Sequence, residues 1–69
     1  MTDLTLQVNG ATRTVPGPAS LAGLLAHLGL DARMVVVERN REIVRRGQLE
    51  AVALQEGDVI ELVHFVGGG

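Results

Sequence analysis

The residues whose type and position point most clearly to chemistry are three consecutive glycines, Gly67-Gly68-Gly69, at the end of the sequence. We predict that the reactive group is the free α-carboxylate of Gly69. It is ionised at neutral pH, because the α-carboxyl group of an unstructured peptide has a pKa of about 3.5. A carboxylate is a poor electrophile, so it must be activated, for instance as an acyl-adenylate, before a nucleophile can attack it. The active site that activates it therefore belongs to a partner protein and must take in the end of the chain.

Glycine suits a chain end that enters a narrow active site. Because it lacks Cβ, it passes through constrictions and adopts backbone conformations closed to other residues. Three extended residues reach at most roughly 10 Å, enough to carry the carboxylate clear of a folded body. We therefore predict a flexible tail over residues 67–69, with Gly67 and Gly68 binding in the partner's entry channel. The alternative is an incidental glycine-rich end without function.

The composition excludes several other kinds of site. The chain has no cysteine, which excludes disulfides, thiolate metal sites and thiol nucleophiles. Its two histidines, His27 and His64, are isolated and form no convincing metal site, and no cofactor is predicted. A net charge of −2 with a single aromatic residue argues against binding to nucleic acid. No apolar segment approaches the roughly 20 residues that span a membrane, and no secretory signal is recognisable, so we expect a cytoplasmic protein.

Two hairpins and one helix are predicted to support the tail. Residues 4–8 alternate apolar and polar side chains, Asn9-Gly10 favours a type I′ turn, and residues 11–15 form the returning strand. Leucines at 21, 24, 25 and 28 form one apolar stripe, which predicts a helix over residues 20–28 with Ser20 as its N-cap. Residues 34–37 and 43–44 indicate a second hairpin, and residues 59–66 the last strand.

This order of elements predicts an α+β protein with the β-grasp, or ubiquitin-like, fold. Its mixed sheet has four to five strands, and one main helix packs on one face, because a single helix cannot cover both faces. We expect one domain over residues 1–66, followed by the glycine tail over residues 67–69.

The last strand indicates where a partner docks. Ile60 and Leu62 share the face that we expect in the core, whereas Val59, Val63 and Phe65 lie on the other face, next to the tail. An apolar patch beside a chain end is typical of a docking surface. Alternatively, neighbouring segments cover these residues.

Charged residues offer a further docking hypothesis. Arginines concentrate in one segment, where they form either a solvated face or a surface that steers an acidic partner. They are Arg39, Arg41, Arg45 and Arg46. Acidic residues near the last strand, Glu56, Asp58 and Glu61, could act in the same way toward a basic partner.

Over essentially its whole length the sequence resembles the ThiS family, the sulfur carriers of thiamine biosynthesis. The resemblance is sharpest in VVERN at 36–40, IV at 43–44, EGDVIE at 56–61 and VHFVGGG at 63–69. Gly68 and Gly69 match the terminal pair of the family, whereas Gly67 is an additional glycine.

The resemblance implies a protein co-substrate rather than an enzyme. An ATP-dependent, ThiF-like adenylyltransferase would activate the carboxylate of Gly69. Sulfur that a cysteine desulfurase takes from cysteine would then replace the adenylate and give a thiocarboxylate. A ThiG-like thiazole synthase would receive that sulfur. Two alternatives stay open: a carrier for molybdopterin, cysteine or tungsten-cofactor sulfuration, and a β-grasp binding module that carries no sulfur.

Overall fold

The computed structural model describes residues 3–65. In chain order its elements are β1 (Asp3–Val8), β2 (Ala11–Pro16), α1 (Leu21–His27), a 3₁₀ helix η1 (Ala32–Met34), β3 (Val35–Arg39), β4 (Glu42–Val44), a second 3₁₀ helix η2 (Arg46–Gln48) and β5 (Val59–His64). No helix in this part of the chain has the length and apolar character that crossing a membrane requires.

The strands form one mixed sheet in the order β2-β1-β5-β3-β4. The strand β5 lies at its centre, parallel to β1 on one side and antiparallel to β3 on the other. The two hairpins, β1–β2 and β3–β4, are antiparallel and form the two halves of the sheet. The predicted α+β architecture, a mixed sheet with one helix, is therefore confirmed.

Each hairpin turns through two residues with positive φ. Asn9 and Gly10 have φ values of 51° and 81°, as the type I′ prediction requires. Asn40 and Arg41 join β3 to β4 with φ values of 52° and 72°. Asparagine tolerates this left-handed conformation, whereas the Cβ of arginine makes it costly by about 1–2 kcal/mol. The second turn is therefore strained at Arg41.

The leucine stripe of α1 packs on one face of the sheet. Leu21, Leu24 and Leu25 are buried in one cluster with Leu6 of β1 and Ile60 of β5. The Ser20 hydroxyl accepts a hydrogen bond from the Gly23 amide at 3.0 Å, as expected of an N-cap. A seven-residue helix is too short to be stable alone in water, so this burial is what keeps it folded.

The last strand is shorter than predicted. β5 ends at His64, because its partner β3 begins at Val35, the residue opposite His64. Before Val35 the chain turns through η1, which includes Met34, a residue predicted to be in the strand. Phe65 lies beyond β5 and makes one further backbone hydrogen bond, to the Met34 carbonyl at 2.8 Å. Val66 and the predicted tail at 67–69 lie outside the described residues, so the domain boundary at 66 stays a prediction.

Candidate functional site

The central strand β5 is the element that leads to the predicted reactive end. Of the residues assigned to the site from the sequence, Val59, Val63 and Phe65 lie within the described part of the chain. Gly67, Gly68 and Gly69 lie outside it. Within residues 3–65 the site consists of the strand, its exposed face and the contacts that hold it.

The two faces of β5 differ as the alternation predicts. Ile60 is fully buried, whereas Val59, Val63 and Phe65 are 42%, 57% and 49% exposed. No described segment covers them, so the covering alternative is wrong for residues 3–65. Their role in binding a partner stays a prediction.

A fourth exposed apolar residue, Ile43 of β4, was not predicted. It is 68% exposed and lies opposite Glu38 of β3, which in turn lies opposite Glu61 of β5. Residues that are directly opposite in a sheet share a face, so Ile43, Glu38 and Glu61 lie on one face. Val63 follows Glu61 by two residues in β5 and therefore lies on the same face. We call this side of the sheet, with Ile43, Val59, Val63 and Phe65, the open face. The sequence could not identify Ile43 as exposed, because two adjacent apolar residues, Ile43 and Val44, show no alternation that tells which side chain points inward.

The open face also carries an acidic pair. Glu38 and Glu61 lie directly opposite each other, and within residues 3–65 neither forms an ion pair with an arginine. Val36 and Val63 form the next pair on this face, so the carboxylates lie beside apolar side chains. Like charges in directly opposite positions repel, and a cation from a partner would relieve this repulsion.

Asn9 connects the first turn to β5. Its side-chain Oδ1 accepts a hydrogen bond from the Leu62 amide at 2.7 Å, and its Nδ2 donates to the Leu62 carbonyl at 3.2 Å. Its backbone amide donates to the Ile60 carbonyl at 2.9 Å. The Asn9 side chain therefore continues the β1–β5 ladder past the end of β1. It holds β5 three residues before Phe65.

Asn40 holds the start of β5 in the same way. Its Oδ1 accepts from the Val59 amide at 2.9 Å, and its backbone amide donates to the Val59 carbonyl at 2.7 Å. Both asparagines lie in hairpin turns with positive φ, which places their side chains beside the central strand. Each half of the sheet thus contributes one asparagine that braces the strand leading to the chain end.

Asp58 is the centre of a buried polar cluster that includes Asn40. Its side chain is 7% exposed and accepts hydrogen bonds from Arg39 Nε at 2.9 Å, Asn40 Nδ2 at 3.1 Å and the Gln55 amide at 2.9 Å. Asp58 is therefore unavailable for steering a basic partner, and that hypothesis is wrong for this residue. Sequence spacing could not reveal the cluster, because Arg39 and Asp58 are nineteen residues apart.

The hydrogen bonds of the cluster set the protonation of Asp58. Burial on its own raises the pKa of this carboxyl, because it disfavours the charged form. The Gln55 amide, Arg39 and Asn40 together outweigh burial and lower the pKa below its ordinary value. Asp58 is thus a carboxylate that the fold holds ionised.

The remaining charged residues lie on the surface. Arg39 belongs to the Asp58 cluster, which leaves Arg41, Arg45 and Arg46 exposed in the predicted basic segment. On a different surface, hydrogen bonds from Arg33 lower the pKa of the exposed Asp31 to about 2. His27 and His64 are exposed, and residues 3–65 contain no cluster of histidine and carboxylate side chains able to hold a metal ion.

Comparisons with known proteins agree with this architecture. The ThiS family matches this chain over residues 6–69. A crystal structure of the thiamine biosynthesis protein ThiS from Geobacter metallireducens superposes with a TM-score of 0.80 at 36% identity, covering 96% of this chain and 100% of that one. The sulfur carrier protein ThiS of Bacillus subtilis is 43% identical over 65 residues, which are 93% of this chain and 98% of that protein.

Two larger proteins match as well. The thiazole synthase of Magnetococcus marinus is 47% identical over 64 residues, and that of Paramagnetospirillum magneticum is 44% identical over 64 residues. Each match covers 93% of this chain, which spans about a fifth (20%) of each thiazole synthase.

The mixed five-stranded sheet with one helix on one face defines a protein of the β-grasp class. The chain belongs to the ThiS family. The prediction of this family is confirmed by the family match, the Bacillus subtilis relative and the Geobacter metallireducens structure.

Proposed function

We propose that this chain carries sulfur as a thiocarboxylate on Gly69 and donates it to a thiazole synthase in thiamine biosynthesis. The observation that carries the proposal is the family match, which extends through Gly69 and includes all three glycines. The 43% identity to a sulfur carrier over 98% of that protein supports it.

The chemistry needs little from the chain itself. In the active site of an adenylyltransferase, the carboxylate of Gly69 attacks the α-phosphorus of ATP and releases pyrophosphate, which turns a poor electrophile into an acyl-adenylate. The outer sulfur of a persulfide, which a desulfurase generates from cysteine, then attacks the acyl-adenylate and releases AMP, which gives an acyl disulfide. A thiol reductant cleaves the S–S bond, becomes the new disulfide and leaves the thiocarboxylate on Gly69. The folded body contributes recognition, and β5 is the last strand before the glycines.

Docking is proposed to combine the tail with the open face. Gly67 and Gly68 fill the partner's entry channel, while Val59, Val63 and Phe65 contact the surface around it. Full burial of an exposed valine or phenylalanine contributes about 1.5–3 kcal/mol, so a half-exposed side chain contributes about 1 kcal/mol. Three such contacts contribute about 3 kcal/mol, less than the roughly 4 kcal/mol of a millimolar complex, so the tail must supply the remaining free energy of binding.

Thiazole synthase is the proposed acceptor because two thiazole synthases contain a region that resembles this chain at 47% and 44% identity. Joining carrier and acceptor in one polypeptide raises their effective concentration, which is useful when one must repeatedly engage the other. The adenylyltransferase and the desulfurase are proposed from the chemistry of activation. All of these steps are proposed to take place in the cytoplasm.

Intact-protein mass spectrometry tests the proposed chemistry. The chain is produced together with an adenylyltransferase and a cysteine desulfurase, and we expect the mass gain that corresponds to replacement of one oxygen by sulfur. The variant Gly69→Leu, which replaces the terminal glycine by a bulky residue, serves as the control and should remain unmodified while keeping the same unfolding temperature. An unchanged mass of the natural chain would support the binding-module alternative.

The pathway is tested separately in a strain that lacks this chain. We expect thiazole to restore growth, whereas cysteine or molybdopterin does not. Restoration by cysteine or molybdopterin alone would assign the carrier to one of the other pathways.

A further inference from the structure

Charge is distributed unevenly over this molecule. Residues 39–46 contain four of the six basic residues and one acidic residue, which gives this segment a net charge of +3. The whole chain carries −2, so the remaining residues together carry −5. One edge of an acidic protein is therefore basic. The ion pair between Arg39 and Asp58 accounts for one of these charges only, since Arg41, Arg45 and Arg46 are exposed.

The same segment contains β4, the outermost strand of its half of the sheet. Arg39 and Glu42 are the pair that flanks the two-residue turn, so they exchange the hydrogen bonds closest to it. Hydrogen bonding alternates along an antiparallel pair, so the backbone groups of Ile43, the next residue, point away from β3. The Ile43 N–H and C=O, with the Arg45 N–H two residues on, face the outer edge of the sheet. We call this row of backbone groups the β4 edge.

A groove of about 510 Å³ runs along the β4 edge. Val44 and Val52 provide apolar lining, and both are partly buried. The rest of the lining is Ile43, Gln48, one carboxylate and two guanidinium groups, those of Glu42, Arg39 and Arg45. An extended segment that hydrogen-bonds to the β4 edge places alternate side chains toward this groove. The groove therefore suits a strand with apolar side chains on one face and acidic ones on the other.

We propose that the β4 edge binds an extended acidic segment of a partner protein, which adds to the sheet as a sixth strand. Its carboxylates pair with Arg45 and Arg41, and an apolar side chain enters the groove over Val44 and Val52. Affinity comes from backbone hydrogen bonds and specificity from charge. A second copy of this chain does not fit, because two β4 edges would bring the same arginines together. The β4 edge shares Ile43 with the open face but includes none of Val59, Val63 and Phe65, the residues proposed to contact the adenylyltransferase.

The proposal is tested with the full chain and a short peptide that alternates aspartate and valine, blocked at both ends. Fluorescence anisotropy measures binding, and NMR of the isotope-labelled chain locates it. We expect the largest amide shifts and the largest slowing of hydrogen exchange at Ile43 and Arg45. Binding should weaken as salt rises from about 50 to about 500 mM, because exposed charges are then screened. A peptide that alternates lysine and valine should not bind.

Two variants separate charge from backbone pairing. Arg45→Glu should weaken peptide binding about tenfold, whereas Arg13→Glu, the same charge reversal on the opposite edge strand β2, should have little effect. Ile43→Pro removes the outward N–H but leaves the β3–β4 hydrogen bonds, and it should abolish binding, whereas Ile43→Thr should not. If Ile43→Pro fails to fold, the two arginine variants still decide the question.

Several results would overturn the proposal. They are absence of peptide binding, equal weakening by Arg13→Glu and Arg45→Glu, and binding without protection of the Ile43 amide. Tighter binding of a single-stranded oligonucleotide than of the peptide at this edge would also overturn it, in favour of a nucleic-acid partner. None of these outcomes depends on thiocarboxylate formation, so the proposed function is judged separately.

Discussion

Removing the carboxylate of Asp58 should destabilise this protein more than any other single change of a charged side chain. Truncating one partner of a buried ion pair costs about 3–5 kcal/mol. Arg39 is 27% exposed and can regain water, which favours the lower end of this range, about 3 kcal/mol for Asp58→Ala. The Gln55 amide and Asn40 Nδ2 also lose an acceptor.

That cost is large for so small a protein. A chain of 69 residues has a free energy of unfolding of roughly 3–10 kcal/mol, so Asp58→Ala removes a substantial part of it. Each kcal/mol shifts the unfolding temperature of such a domain by about 4–8 °C. The expected fall is therefore about 12–24 °C.

Thermal and urea unfolding followed by circular dichroism measure this effect. Asp58→Asn keeps the shape of the side chain but presents an NH₂ group to surrounding donors, and we expect a loss of about 2 kcal/mol. Glu50→Gln, the same carboxylate-to-amide change at an exposed site, is the matched control and should change stability by less than about 0.5 kcal/mol. Equal effects of Asp58→Asn and Glu50→Gln would refute the reasoning that the cluster stabilises the fold.

The pH dependence provides an independent test of the same carboxylate. The pKa of Asp58 is lower in the folded than in the unfolded chain, so acid protonates the unfolded chain first and stability falls as pH falls. Its contribution is fully present above its ordinary pKa of about 3.9 and is lost as pH drops through the lower folded value. The difference in unfolding free energy between the natural chain and Asp58→Asn should therefore be constant from about pH 5 to 8 and shrink below about pH 4. A difference that grows on acidification would contradict this assignment.

Four further substitutions have defined outcomes. Asn9→Ala removes both side-chain hydrogen bonds to Leu62 and should cost about 1–2 kcal/mol by urea unfolding; faster exchange of the Leu62 amide would show that the end of β5 has loosened. Arg41→Gly should raise stability by about 0.5–1 kcal/mol in thermal unfolding, because glycine relieves the strain of the left-handed turn. Leu25→Ala should cost about 2–5 kcal/mol by the same assay, since the side chain is buried between α1 and the sheet. Val63→Asp should leave the unfolding temperature nearly unchanged but weaken binding to the adenylyltransferase about tenfold in calorimetry; unaltered binding would remove Val63 from the docking surface.

Much of the fold follows from local patterns in the sequence. The leucine stripe predicts α1, Asn9-Gly10 predicts the first turn, and alternation in residues 59–63 separates buried Ile60 from exposed Val59 and Val63. These predictions succeed because side chains in a helix or a strand return to the same face every few residues. Residues that are close in sequence therefore show which face is buried. The boundary of β5 was misjudged because a strand ends where its partner ends, and the partner lies far away in sequence.

The sequence by itself thus determined the elements and the face of β5 that stays exposed, whereas the role of the terminal glycines in activation stays a prediction. Only the tertiary structure decided that β5 is central and that Asn9 and Asn40 brace it. It also decided that Asp58 is buried in a polar cluster and that the arginines flank an open strand edge. These features join residues nineteen to fifty-three positions apart, and no local period records such pairings. These contacts form only when both hairpins pair with the central strand.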